Sequence, residues 1–127
     1  MNIKLILVAV FSIVFFSSCI KEDLKKEPSK YVLEPHSFAQ PNKAVITHLD
    51  LNIQVDFENE VISGFAAYDI KNNNATEIIL DSKYLTIDKV LADGVETQFS
   101  LGEFDKMLGQ PLKIRIKETT NKIIVFW

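Results

Sequence analysis

The sequence predicts an all-β fold, an antiparallel sheet or a sandwich. Apolar and polar residues alternate over several short segments, which is the period-two pattern of strands with one face buried. About seven such segments follow one another between residues 36 and 127. The connections between them are too short for crossover helices, so neighbouring strands are expected to pair antiparallel.

The clearest alternation lies in residues 47–57, followed after a polar turn by residues 61–70. In the first segment the polar residues, among them His48, point one way, and the apolar residues point the other. Those apolar residues are Leu49, Leu51, Ile53, Val55 and Phe57. We expect a half-buried strand and an antiparallel hairpin with the second segment, in which Gly64 marks a bulge or a close backbone approach.

Five further strands are predicted downstream. Asp93 and Gly94 give a strong turn signal between two of them, and only residues 102–109 could hold a helical turn. The strands are expected at residues 76–80, 84–92, 95–101, 112–117 and 123–127.

The N-terminus has the pattern of a bacterial lipoprotein signal. Lys4 precedes an apolar run over residues 5–16, which is too short to span a hydrocarbon core of about 30 Å as a helix. Residues 16–19 resemble a lipobox, with two serines before Cys19, the only cysteine. We therefore predict a signal peptide over residues 1–18 and a lipid on Cys19, which anchors the protein to a membrane of the cell envelope. The alternatives are an ordinary signal peptide with a chance cysteine, and a signal-like anchor helix.

Residues 20–30 are mostly charged and carry no apolar period. Residues 19–35 are therefore predicted to be a lipidated N-terminus and a flexible tether before a β-domain at residues 36–127. Within this tether, residues 21–23 resemble a lysine-plus-two-acids signal for export of lipoproteins to the outer cell surface. A plain hydrophilic spacer explains them as well, so a periplasmic and a surface-exposed position both stay open. The net charge of −3 gives no basis for a nucleic-acid partner.

No catalytic, cofactor-binding or metal-binding residue is predicted in this chain. A zinc helix of the peptidase type needs two histidines one turn apart with a glutamate after the first. The two histidines are His36 and His48, and neither is followed by glutamate. Three carboxylates, Asp56, Glu58 and Glu60, lie near one turn, but they lack the glycine and distal glutamate of a calcium loop. A solvated hairpin tip explains them better.

Several segments together resemble the opening of the M1 family of zinc aminopeptidases, which includes aminopeptidase N and leukotriene A4 hydrolase. The resemblance covers residues 36–127 and rests on the order and spacing of residues 35–39, 45–51, 55–57, 62–64 and 80–90. It implies part of a saddle-shaped N-terminal β-domain that packs against a zinc-containing catalytic domain. In that family the zinc ligands lie downstream of the resembling region, and Trp127 comes before them, so the resemblance implies a truncated chain that is inactive alone.

Two functions stay open. The first is a non-catalytic scaffold domain of an M1 metalloaminopeptidase, whose partner is the catalytic domain of the same enzyme. The second is a stand-alone surface lipoprotein β-module that binds a protein or a glycan. In the first case the last strand, residues 123–127, is expected to lack neighbours, which would leave an open sheet edge that favours self-association.

Overall fold

The structure is a computed structural model that describes residues 33–127. The predicted signal peptide (residues 1–18), Cys19 and most of the tether lie outside the described residues. Within residues 33–127, no helix is long and apolar enough to cross a membrane.

Two antiparallel sheets form the described part of the chain, which confirms the all-β prediction. The first sheet has five strands in the order β1-β2-β8-β4-β5, and the second has three in the order β3-β7-β6. In chain order the strands are β1 (Ala44–Asp56), β2 (Val61–Asn72), β3 (Glu77–Ser82), β4 (Lys89–Ala92), β5 (Val95–Glu96), β6 (Phe99–Leu101), β7 (Gln110–Arg115) and β8 (Lys122–Phe126).

The core lies between the two sheets. Val90, Ile114 and Ile123 have no exposed surface, and they come from β4, β7 and β8. Val90 lies opposite Val125, which is two residues from Ile123 on the same side of β8, and Ile114 joins the cluster from the three-stranded sheet. The other apolar members of the core are Ala44, Ile70, Ala75, Ile78, Leu80, Leu112, Ile116 and Val125.

The hairpin of β1 and β2 forms as expected, and Gly64 marks a close approach of its two backbones. A Cβ atom at Gly64 would lie 2.0 Å from the carbonyl oxygen of Asn52, so only glycine fits there. The register shift in this hairpin occurs elsewhere, between Ile46 and His48.

Two of the predicted strands are wrong in extent. The strand expected at residues 84–92 begins only at Lys89, because Tyr84 has a φ of 61° that interrupts extended backbone. The strand expected at residues 95–101 divides into β5 and β6, which belong to different sheets. The chain crosses between the sheets at Thr97, whose N–H donates to Val90 of β4 while its side chain donates to the carbonyl of Arg115 in β7.

Residues 102–109 contain no helical turn. Asp105 and Gly109 exchange two backbone hydrogen bonds across a tight turn. The carboxylate of Asp105 accepts the N–H groups of Met107 and Leu108 at 2.7 and 2.8 Å, and these bonds lower the pKa of Asp105. The segment is therefore a turn stabilised by its own aspartate.

The last strand is not a sheet edge. β8 lies between β2 and β4 and pairs with both, so the expectation of an open edge at residues 123–127 is wrong. The edges of the five-stranded sheet are β1 and β5.

Candidate interaction surface

Five exposed apolar side chains share one side of the β1–β2 hairpin, which we call the apolar hairpin face. Leu51 lies opposite Ala66 of β2, and Ala66 lies opposite Val125 of β8. Both of these partners are buried in the core, so the face continues the core-facing side of the sheet. Its members are 47–58% exposed and are Leu49, Leu51, Ile53, Val55 and Ile62.

The alternation in the sequence identified the two faces of β1 correctly, but the expected half-burial is wrong. Leu51 is 55% exposed and Ile62 is 58% exposed. Within the five-stranded sheet, the core takes its residues mainly from the part of β2 nearer its C-terminal end and from β8 and β4. Within residues 33–127, nothing buries the outer half of the hairpin, so its apolar face lies in solvent.

Polar side chains cover the opposite face of β1. His48 is exposed, as expected, and its Nε2 lies 3.2 Å from a carboxylate oxygen of Asp50. Asn52, Gln54 and Asp56 continue the row towards the hairpin tip. β1 therefore has one apolar and one polar face, and both are exposed.

The carboxylate of Asp56 closes the hairpin tip. One oxygen accepts the N–H groups of Glu58 and Asn59 at 3.0 Å each, and the other accepts the side-chain amide of Asn59 at 2.9 Å. The side-chain bond from Asn59, with these backbone bonds, lowers the pKa of Asp56. These contacts fit the solvated hairpin tip inferred from the sequence, because the turn itself uses the carboxylate oxygens.

The two histidines lie on separate segments and bind separate carboxylates. His36 is exposed, and its Nδ1 lies 2.8 Å from Glu34 in the segment before β1. His48 binds Asp50 within β1. Within the described residues, no group of three or more histidine, cysteine, aspartate or glutamate side chains is placed to hold a metal ion.

A second polar contact holds the segment before β1 against β3, and the sequence did not reveal it. Ser37 donates through its hydroxyl to one oxygen of Asp81 at 2.7 Å, and the N–H of Phe38 donates to the other at 2.9 Å. Asp81 is more than 40 residues away in the chain, so no local pattern could show the pairing. The segment borders a groove of about 330 Å³ between the two sheets.

Comparison with known proteins identifies relatives that are aminopeptidases or leukotriene A4 hydrolases. No protein-family model matches the chain. Leucine aminopeptidase 2 of Candida albicans is 35% identical over 107 residues, which is 84% of this chain and 17% of that protein. Leukotriene A-4 hydrolase of Xenopus laevis is 35% identical over 85 residues, which is 65% of this chain and 14% of that protein. The chain thus spans less than a fifth of the length of either relative.

Solved structures show the same relationship. Yeast leukotriene A4 hydrolase in complex with bestatin superposes with a TM-score of 0.67 at 26% identity, covering 78% of this chain and 17% of that chain. The native enzyme of Saccharomyces cerevisiae gives a TM-score of 0.66 at 25% identity over the same shares.

Proposed function

Because this chain belongs to the M1 metallopeptidase family and corresponds to the N-terminal β-domain of leukotriene A4 hydrolase, we propose that it is a non-catalytic scaffold domain of a zinc-dependent metalloaminopeptidase. The observation that carries this proposal is the 35% identity to leucine aminopeptidase 2 over 107 residues. The apolar hairpin face supports it, since a contiguous apolar patch on a small domain is typical of a surface that contacts another domain.

In this proposal the domain supports and positions the catalytic domain through a buried contact surface, and it supplies no reacting group. The zinc of the family does not fit the described residues, because His36 and His48 lie on separate segments and each binds its own carboxylate. The peptide-hydrolysing chemistry therefore belongs to other parts of such an enzyme. The apolar hairpin face supplies a surface against which those parts could pack.

A chimera tests the scaffold role. Residues 36–127 replace the matching N-terminal segment of yeast leukotriene A4 hydrolase, and hydrolysis of an aminoacyl anilide is measured. We expect a soluble chimera with zinc-dependent activity, because the two folds superpose closely. The isolated chain is expected to give no turnover, with or without added zinc, since residues 33–127 hold no group of side chains placed to bind the metal.

The control for the chimera compares the two faces of β1. The double substitution Leu51→Asp and Ile53→Asp places two charges on the apolar hairpin face. We expect this chimera to be insoluble or inactive, because burying unpaired charges in an interdomain contact is costly. Asn52→Asp adds one charge on the exposed opposite face and is expected to leave activity within about twofold. If the doubly charged chimera is as stable and active as its parent, the face is not an interdomain contact.

We further propose that the mature protein is held at the bacterial cell envelope by lipid on Cys19. Two or three acyl chains anchor a protein stably, since each buried methylene contributes about 0.8 kcal/mol. In cells fed an alkyne fatty acid, the wild-type chain should be labelled and should sediment with membranes. Cys19→Ala should lose the label, whereas Ser12→Ala, a change of similar size within the signal, should keep it. Equal labelling of the Cys19→Ala chain would contradict the proposal.

A further inference from the structure

β1 presents a long unpaired edge. Within residues 33–127 it is the first strand of the five-stranded sheet and has a partner only on the β2 side. It has 13 residues, whereas β5 at the opposite edge has two. A long, exposed strand edge with an apolar face favours pairing with another strand.

The hydrogen bonds of Gly64 show which β1 groups are free. The N–H of Gly64 donates to the carbonyl of Trp127 at 2.9 Å, and the carbonyl of Gly64 accepts the N–H of Trp127 at 3.2 Å. Gly64 therefore has no group left for Ile53, its partner in β1, so the N–H and carbonyl of Ile53 point away from β2. The direction of the backbone N–H and carbonyl groups alternates from residue to residue along an antiparallel strand. The backbone groups of Leu49, Leu51 and Val55 therefore also point away from β2.

We propose that β1 pairs antiparallel with β1 of a second copy of this chain, across a two-fold axis at Asn52. In this register Leu51 lies opposite Ile53 of the second copy, and Leu49 lies opposite Val55. All four residues direct their free backbone groups outwards, so both pairs form complete hydrogen-bonded pairs. The two five-stranded sheets become one continuous sheet, and the two apolar hairpin faces become neighbours.

The charges on the polar face favour this register. It places His48 opposite Asp56 of the second copy, and Asp50 opposite the neutral Gln54, twice by symmetry. An axis at Ile53 would place Asp50 opposite Asp56 twice, and an axis at Asp50 would oppose two aspartates directly. Like charges directly opposite destabilise a strand pair, and opposite charges stabilise it.

An axis at Leu51 avoids repulsion but places His48 opposite the amide of Gln54, so that it brings no carboxylate to the histidine. The axis at Asn52 sets each histidine opposite a carboxylate, keeps carboxylates from facing one another, and pairs apolar residues with apolar residues. A homodimer of this kind is a closed two-fold assembly, in which the same edge serves both partners.

Cysteine pairing tests the register in the full chain. All variants carry Cys19→Ala, so that the introduced cysteine is the only thiol, and are kept in detergent with micelles in large excess. At the axis, two copies of Asn52→Cys lie in a non-hydrogen-bonded pair about 4.5 Å apart between Cα atoms, which suits a disulfide. Oxidised glutathione should therefore convert most of this variant into a disulfide-linked dimer that a reductant reverses.

Gln54→Cys is the matched control. Gln54 lies on the same exposed face as Asn52. In the proposed dimer, however, the two Gln54 residues of the two copies are offset by four residues along the strand, about 13 Å. Alone it should stay monomeric, whereas a mixture of Asp50→Cys and Gln54→Cys chains should cross-link as well as Asn52→Cys. In sedimentation of the reduced chain, His48→Asp should raise the dimer Kd about tenfold, because it sets two carboxylates opposite each other at both ends of the paired segment.

Two results would overturn the pairing. The first is an Asn52→Cys variant that stays monomeric under oxidation while circular dichroism shows folded β structure. In that case the edge of β1 would be available to another domain of an M1 enzyme and not to a second copy. The other is Gln54→Cys that cross-links to the same extent as Asn52→Cys, which would mean random collision or a different register.

Discussion

Replacing Ile114 by alanine is expected to lower the free energy of unfolding by about 2–5 kcal/mol. Ile114 has no exposed surface and lies in β7 between Ile78 of β3 and Phe99 of β6. Three side-chain carbons are lost from the packed space between the sheets, and the cavity that remains is only partly refilled. Small domains are stable by only about 5–15 kcal/mol, so the loss should be plain in urea unfolding followed by circular dichroism.

Val95→Ala is the comparison for this substitution. Val95 is also a β-branched apolar residue in a strand, but it is 70% exposed. Its replacement should cost less than about 0.5 kcal/mol, the usual range for surface positions. Equal losses at the two positions would contradict a core centred between β7, β8 and β4.

The fold class and the longest strands could be predicted because their signals are local. Strict alternation in β1 and the turn residues after it determine the hairpin without reference to the rest of the chain. The division of residues 95–101 between two sheets could not be predicted in this way. It depends on the hydrogen bond between the side chain of Thr97 and the carbonyl of Arg115, which are 18 residues apart.

The order of the strands within each sheet could likewise not be predicted from the sequence. The residues of β8 show a strand of strong β-formers, but not that the strand lies between β2 and β4, so the open edge was expected at the wrong strand. In the same way, alternation in β1 separates two faces and does not reveal whether anything covers them. The exposed positions of His48 and Asp56 could be predicted, since both follow from alternation and turn chemistry.

Gly64→Ala is expected to destabilise the domain by about 3 kcal/mol, at the upper end of what overpacking costs. The new Cβ would lie 2.0 Å from the carbonyl oxygen of Asn52 and 3.2 Å from the Cα of Ile53. Both are backbone atoms, which cannot rotate away as a side chain can. β2 cannot retreat either, because both backbone groups of Gly64 are bonded to Trp127. β1 must therefore move, and urea unfolding should record the loss.

Gly94→Ala separates this clash from the general cost of replacing glycine. Gly94 has a φ of 81°, but a Cβ there meets no atom within 4 Å, so only backbone strain of about 1 kcal/mol is expected. Amide hydrogen exchange locates the damage: Gly64→Ala should accelerate exchange in the β1–β2 hairpin, whereas Gly94→Ala should affect only the β4–β5 turn. If the two variants lose the same stability and leave hairpin exchange unchanged, the backbones of β1 and β2 do not approach as closely at Gly64 as the structure shows.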